Sequence, residues 1–371
     1  MWLAGLLKID PNIADAYIFD SIASPYGTDV YSFYHWDRNF DDTITRLLQR
    51  CSADSMCSGK LSSDAVTYAH NVLDSVYGGG HCDKIKTLLP TRVAVGDLMA
   101  TMLSSPYSRP LIPALFYRLK RCEQYDVDAI QWLLDEVTPA ETEYCDNTFS
   151  QAAYFQIATA EMYDTTVTSA QATNASNLPF TQNGAKLMYD ARQKWSPAYQ
   201  DDFLRNVTTT TTKPVLILSG EFDAQTPTRY ALSFASQFSG NVRFGFVANG
   251  FHSVLGTAYD RTGAEAEDLA GGIIANFIRN PSGSLDLSPL NRTTTYEFAG
   301  SEGGNTLYFG TSDAYDGRPP GDPLEATPFI IALACVSAAF LISIGVIIYL
   351  CCLLRRADKE AEMYGMRSMA R

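Results

Sequence analysis

The stretch that most restricts what this chain can fold into is Lys213 to Gly256, KPVLILSGEFDAQTPTRYALSFASQFSGNVRFGFVANGFHSVLG. Two apolar runs, Val215 to Leu218 and Val242 to Ala248, end in Ser219-Gly220 and Asn249-Gly250. Runs this short, bounded by turn residues, read as buried strands. A helical pattern lies between them and opens at Thr226-Pro227. Threonine can cap a helix, and proline suits its first turn, where no N–H is needed. The first strand-end turn delivers Asp223 and the second delivers His252.

Acyl transfer needs a hydroxyl nucleophile, a base within hydrogen-bond reach and a carboxylate that fixes the base's tautomer. One arrangement places these groups on successive strand ends in the order serine, acid, histidine. Asp223 and His252 fit the acid and histidine of that order. Gly250 and Gly256 flank the histidine and leave the backbone free to turn tightly. A loop aspartate before Thr-Pro is usually a turn former, and a lone histidine is usually structural. Their pairing within this strand context is what points to chemistry.

The chain has 371 residues with 28 Lys plus Arg against 41 Asp plus Glu, a formal net charge of −13. That balance argues against a nucleic-acid surface, which needs a basic footprint. Phe329 to Leu354 carries no charge and is long enough to span a bilayer with some tilt. Arg355, Arg356 and Lys359 follow it, so the positive-inside rule assigns the tail to the cytosol and the large N-terminal part to the extracellular or luminal side. Sequons at Asn174, Asn206 and Asn291 agree with such an ectodomain. Cys51 and Cys57 are close enough for a small-loop disulfide, and Cys82 with Cys122 is the next expected pair; Cys145 is left over. Cys351 and Cys352 sit at the cytosolic edge of the span, as palmitoylation candidates or simply as small apolar residues. No Cys-x-x-Cys or histidine pair has metal-ligand spacing, and no cofactor is expected. Met1 to Leu7 is too short for a signal-peptide core.

The remaining organisation is mostly helical. Residues 1–30 hold a short helix and a buried strand from Ala14 to Ile22. From 31 to 207 the apolar residues recur at helical spacing, as in Ile44, Leu47, Leu48 and Cys51, or Val95, Leu98, Met99, Met102 and Leu103. These stripes are core packing. Asp164 to Thr181 reads as an exposed loop, and Thr208 to Thr212 as a connector. Residues 208–280 carry the acid and the histidine and end in a helix from about Ala264 to Arg279. Residues 281–328, rich in Gly, Pro, Ser, Thr and Asp, read as a stalk before the span at 329–354 and the tail at 355–371.

PVLILSGEFDAQTP followed by GFHSVLG resembles the C-terminal segment of the prolyl and tripeptidyl aminopeptidase-like serine peptidases. Cys51-x5-Cys57 and IPALFYRLKRC are similar to stretches in membrane-anchored members. The resemblance implies an α/β class, here the C-terminal part of an α/β-hydrolase fold with an inserted helical cap, plus a single C-terminal transmembrane helix. It implies Asp223 as triad acid, His252 as triad histidine, and short peptides with a free N-terminus as substrates. Glu161 is a candidate for amine recognition or else part of a solvated helix face. The departure is the nucleophile. No Gly-x-Ser-x-Gly occurs in the chain, and Ser21 and Ser24 sit at the end of the wrong strand. The resemblance puts the missing serine a few residues before Met1, so this chain is expected to be truncated and inactive. An esterase or lipase, and a non-catalytic membrane-tethered binding protein, are the alternatives.

Overall fold

The computed structural model describes residues 2–25, 29–137, 150–195, 211–257, 259–260, 267–291 and 297–320. Helix α1 (Trp2–Ile9) leads into strand β1 (Tyr17–Asp20). Nine helices follow among the described residues: α2 (Trp36–Ala53), α3 (Ser55–Lys60), α4 (Ala65–Tyr77), α5 (Arg92–Ser104), α6 (Ile112–Arg121), α7 (Gln124–Val137), α8 (Gln151–Glu161), α9 (Ser169–Ala175) and α10 (Gly184–Lys194). Strand β2 (Val215–Gly220), α11 (Thr228–Ala235), β3 (Val242–Val247), α12 (Val254–Thr257), α13 (Leu269–Arg279) and α14 (Glu302–Phe309) complete the order.

The three strands form one parallel sheet, β1-β2-β3, with β2 central. Its register runs from Tyr17 opposite Val215 and Val215 opposite Val242. Every residue of β2 is buried because both faces of the strand are covered. Successive side chains point to opposite faces. Val215 and Ile217 therefore pack with Ala4 and Leu7 of α1 and Ala231 and Phe234 of α11. Leu216 and Leu218 pack with Leu269, Ile273 and Phe277 of α13. Each such side chain contributes roughly 1.5–3 kcal/mol of transfer free energy when fully buried.

Most of the chain is not sheet, and this corrects the expected α/β-hydrolase class. Helix accounts for 57% of the described residues, and the main sheet among them has only three strands. The physical reason is the 3.6-residue apolar period between β1 and β2, which gives each helix a stripe to bury against other helices. The main hydrophobic cluster, built on α2, α4, α5, α6 and α7, contains no strand residue. No helix among the described residues is long and apolar enough to cross a membrane, so the expected transmembrane helix is not supported either. Phe329–Leu354, the tail, Cys145, Cys351, Cys352 and Asn206 all lie outside the described residues.

Two disulfides staple the helical layer, Cys51–Cys57 across the α2–α3 junction and Cys82–Cys122 across a separation of 40 residues. A buried carboxylate holds a third seam. Asp37, fully buried in the first turn of α2, accepts from Ser176 Oγ, Thr181 Oγ1, and the backbone N–H groups of Gln182, Gly184 and Ala185. Helix α10 has no side-chain cap of its own, and Asp37 supplies the acceptor for its first N–H groups from another helix.

Two further expectations need correction. The supposed loop over 164–181 contains α9, capped by a reciprocal Thr168–Gln171 box. The supposed stalk from 281 folds back as far as Gly317. Helix α14 lies on α7, with Trp132 Nε1 donating to the Leu307 carbonyl at 3.0 Å, and Phe309, Ala314 and Tyr315 are buried in the main cluster. Arg118, wholly buried on α6, donates to the carbonyls of Asp313, Ala314 and Gly317 and to Asp126 Oδ1. Arg121 adds Asp126, Tyr315 O and Asp316. Gly, Ser and Asp are abundant here because the backbone turns sharply around two guanidinium forks; composition alone resembles a linker.

Candidate active site

The site is built where the ends of β2 and β3 meet the helical layer. After β2 the chain turns through Glu221, Phe222 and Asp223; after β3 it turns through Asn249 and Gly250 to His252. Phe222, Ala224 and Phe251 are buried in the main helical cluster, so apolar anchors stand on both sides of Asp223 and immediately before His252. A Cβ on Gly220 would lie 2.4 Å from the Phe251 carbonyl oxygen, so only glycine lets the two loops approach this closely. The sharp turn expected of Gly250 is made instead by Asn249 and Ser253, at φ 59° and 61°.

Asp223 is fully buried. Its Oδ1 accepts from the Thr226 backbone N–H at 2.7 Å and its Oδ2 from the Thr226 hydroxyl at 2.6 Å. His252 Nδ1 lies 3.3 and 3.2 Å from the two carboxylate oxygens and 3.1 Å from Thr226 Oγ1. Nδ1 is surrounded by acceptors, so it carries the proton. The lone pair then resides on Nε2, which has no hydrogen-bond partner among the described residues, on a side chain about one-third exposed. Thr226 was expected to cap the helix; the cap position belongs to Pro227, which makes no side-chain bond, and Thr226 braces the acid and the histidine.

Glu221, the other carboxylate on this turn, is committed elsewhere. Its Oε1 pairs with Arg50 and its Oε2 accepts from Asn249 N at 3.1 Å. Asp20 and Ser21, at the end of β1, hold the far side of the histidine loop. Val254 N and Leu255 N donate to the Asp20 carboxylate at 2.9 and 3.0 Å, and Ser253 N donates to Ser21 Oγ at 2.9 Å. Ser21 has φ 55°, and its hydroxyl donates to Asp20 Oδ1. It is a brace for the histidine loop. None of these roles has a local sequence signature except the position of Asp20-Ser21 at a strand end.

Burial pulls the His252 pKa down, but the hydrogen bond and charge of Asp223, with Asp20 behind it, outweigh that and raise it above the ordinary histidine value of 6.5. A histidine raised on folding stabilises the fold below its unfolded pKa, and the contribution disappears as pH rises through the folded value. As a base, the imidazole becomes competent over the same rise. We expect imidazole NMR of the four histidines to find His252 titrating above 6.5, and Asp223→Asn to bring it below, because burial then dominates. An unchanged midpoint in Asp223→Asn would remove Asp223 as the cause.

An aromatic wall also borders the acid. Tyr31 is buried with Tyr230 and Phe33, and its hydroxyl pKa stands well above the usual value through burial, then through Tyr154, Tyr230 and Asp223. Glu161 ends α8, half-buried, and none of the bonds around Asp223 and His252 involves it. Asn174 is exposed on α9, while the hydroxyl of its sequon serine, Ser176, is bonded to Asp37. Asn291 is exposed at the end of a short 3-10 turn. Among the described residues no group of His, Cys, Asp and Glu could hold a metal ion. No family model matches the chain, and no curated protein matches it.

Proposed function

We propose that Asp223 and His252 are the acid and general base of a serine-type peptidase, with an aminopeptidase or similar exopeptidase as the most specific reading. The observation that carries it is the Nδ1-bound, Nε2-free imidazole, paired to a fully buried carboxylate. A neutral imidazole with Nδ1–H held by a carboxylate can take a proton at Nε2 and stabilise the resulting cation. The resemblance of PVLILSGEFDAQTP and GFHSVLG to prolyl and tripeptidyl aminopeptidase-like sequences supplies the substrate class, peptides with a free N-terminus. No serine hydroxyl is bonded to Nε2 among the described residues, which is what a non-catalytic binding protein would also present.

Two measurements test the reading. The 371-residue chain is expected to leave a fluorophosphonate unreacted, because no serine hydroxyl is bonded to Nε2 among the described residues. Cleavage of aminoacyl anilides with a free amine, in any preparation of this polypeptide that shows it, is expected to be lost in His252→Ala. Labelling or cleavage that survives His252→Ala overturns the proposal. Absence of any cleavage leaves the binding-protein reading in its place.

A further inference from the structure

A second feature lies beside the acid loop, in a cleft between α2 and α11 with a volume of about 440 Å3. Asn39, Asp42, Thr45, Arg46, Thr228 and Arg229 line it. Arg46 stands exposed, donates to Thr43 Oγ1 at 3.3 Å, and has its guanidinium 5.8 Å from the centre of the Phe222 ring. Arg229 is half-buried, donates to Asn39 Oδ1, and stacks on Tyr230 at 4.7 Å. Among the described residues neither guanidinium has a carboxylate in ion-pair contact, whereas Arg38, Arg50, Arg92, Arg118 and Arg121 each do. The carboxylates nearest the cleft are already used. Asp42 is half exposed and directed to Arg38 at 3.8 Å, and Glu221 is bonded by Arg50 and Asn249 N.

Asn39 adds an independent observation. It is only 1% exposed, yet its Nδ2 has no hydrogen-bond partner among the described residues. Arg229 donates to Oδ1, which fixes which end of the amide is which. A buried donor without an acceptor is costly. The cleft therefore holds two guanidinium groups against one solvated carboxylate, with the unsatisfied amide donor buried in the wall behind them.

We propose that this cleft binds a carboxylate group, and that the group is the C-terminal carboxylate of a short peptide. Planar guanidinium forks match a carboxylate through paired, charge-assisted bonds. Thr228 and Arg229 lie two and three residues after Thr226, the residue bonded to both Asp223 and His252, so a peptide seated here has its C-terminus near the candidate catalytic pair. A fixed anchor for the C-terminus limits substrate length, favouring peptides of a few residues over long chains. The peptide identity rests on the aminopeptidase reading; the carboxylate site does not.

Calorimetric titration of the 371-residue chain with trialanine, trialanine amide and inorganic phosphate tests this without turnover. Trialanine is expected to bind, with its amide weaker by about tenfold or more, since the charge-assisted bonds are lost. Arg46→Gln and Arg229→Gln are each expected to weaken trialanine by about the same factor. Arg46 is exposed and its variant keeps the test valid should Arg229→Gln unfold. Equal binding of trialanine and its amide, unchanged affinity in Arg46→Gln, or binding of phosphate but not trialanine each overturns the proposal. Loss of trialanine binding leaves the acid–histidine pair standing, and absence of hydrolysis leaves this site standing.

Discussion

Asp223→Asn is expected to lower kcat of the proposed peptidase reaction by about 10⁴-fold while leaving the fold intact. The carboxylate receives the Thr226 N–H and hydroxyl and the His252 Nδ1–H. An asparagine keeps one carbonyl oxygen for the Thr226 N–H, so the turn survives. Its amide nitrogen, however, is a donor. Wherever it faces Nδ1 it requires that nitrogen to be an acceptor, which moves the proton to Nε2 and removes the base. The negative charge that stabilises the imidazolium is lost at the same time. His252→Ala is expected to cost a comparable or larger factor, and the double variant little more, because the two residues act as a unit. Steady-state kinetics on an aminoacyl anilide, beside a melting curve for each variant, reads both quantities. Near-normal kcat in a stable Asp223→Asn protein would reduce Asp223 to a turn residue.

Arg118→Ala is expected to destabilise the protein by about 3–5 kcal/mol, the range for breaking a buried ion pair from one side. Arg118 is wholly buried beside Asp126, itself wholly buried, and three backbone carbonyls depend on its guanidinium. Arg121 keeps Asp126 partly neutralised in the variant but makes no bond to the Ala314 carbonyl among the described residues. Deletion leaves the Ala314 carbonyl buried without a donor and opens a cavity beside Phe309, over which the guanidinium sits at 5.1 Å. Arg118→Met fills the volume without the donors and is expected to recover only part of the loss. Equilibrium denaturant unfolding of the three proteins measures it. A change below about 1 kcal/mol, the scale of a surface ion pair, would mean that the 313–317 segment is held by apolar contact alone.

Asp316 shows why that segment is hard to read from sequence. Burial raises its pKa, but hydrogen bonds from Lys60, Tyr117 and Arg121 outweigh this and hold it at about 2. Each partner comes from a helix roughly 200 residues or more away along the chain, by the spacings of their bonds. A window of local composition contains none of them, and the stretch looks like a linker. The same holds for Asp37, whose donors lie 139 to 148 residues downstream. It holds again for Asp20, which ties down α12 across a separation of 234 residues. By contrast the strands at Val215–Gly220 and Val242–Val247, the disulfide between Cys51 and Cys57, and the helical stripe through Ile44, Leu47 and Leu48 are all visible in short windows.

The amino-acid sequence by itself determined what is set within a few residues of chain. Apolar runs closed by glycine make the two strands, a 3.6-residue period makes the helices, and the turns after β2 and β3 carry Asp223 and His252. The tertiary structure alone decided how much sheet there is, which carboxylate holds the histidine and what Thr226 does. Glu221 and Asp223 are equivalent as sequence, two acids on one turn. They differ because Arg50 arrives on α2 and claims Glu221, while Thr226 and His252 close on Asp223. Local propensity depends on neighbours in the chain; pairing of buried charges depends on which distant surfaces exclude water together, and that is fixed only when the helices pack.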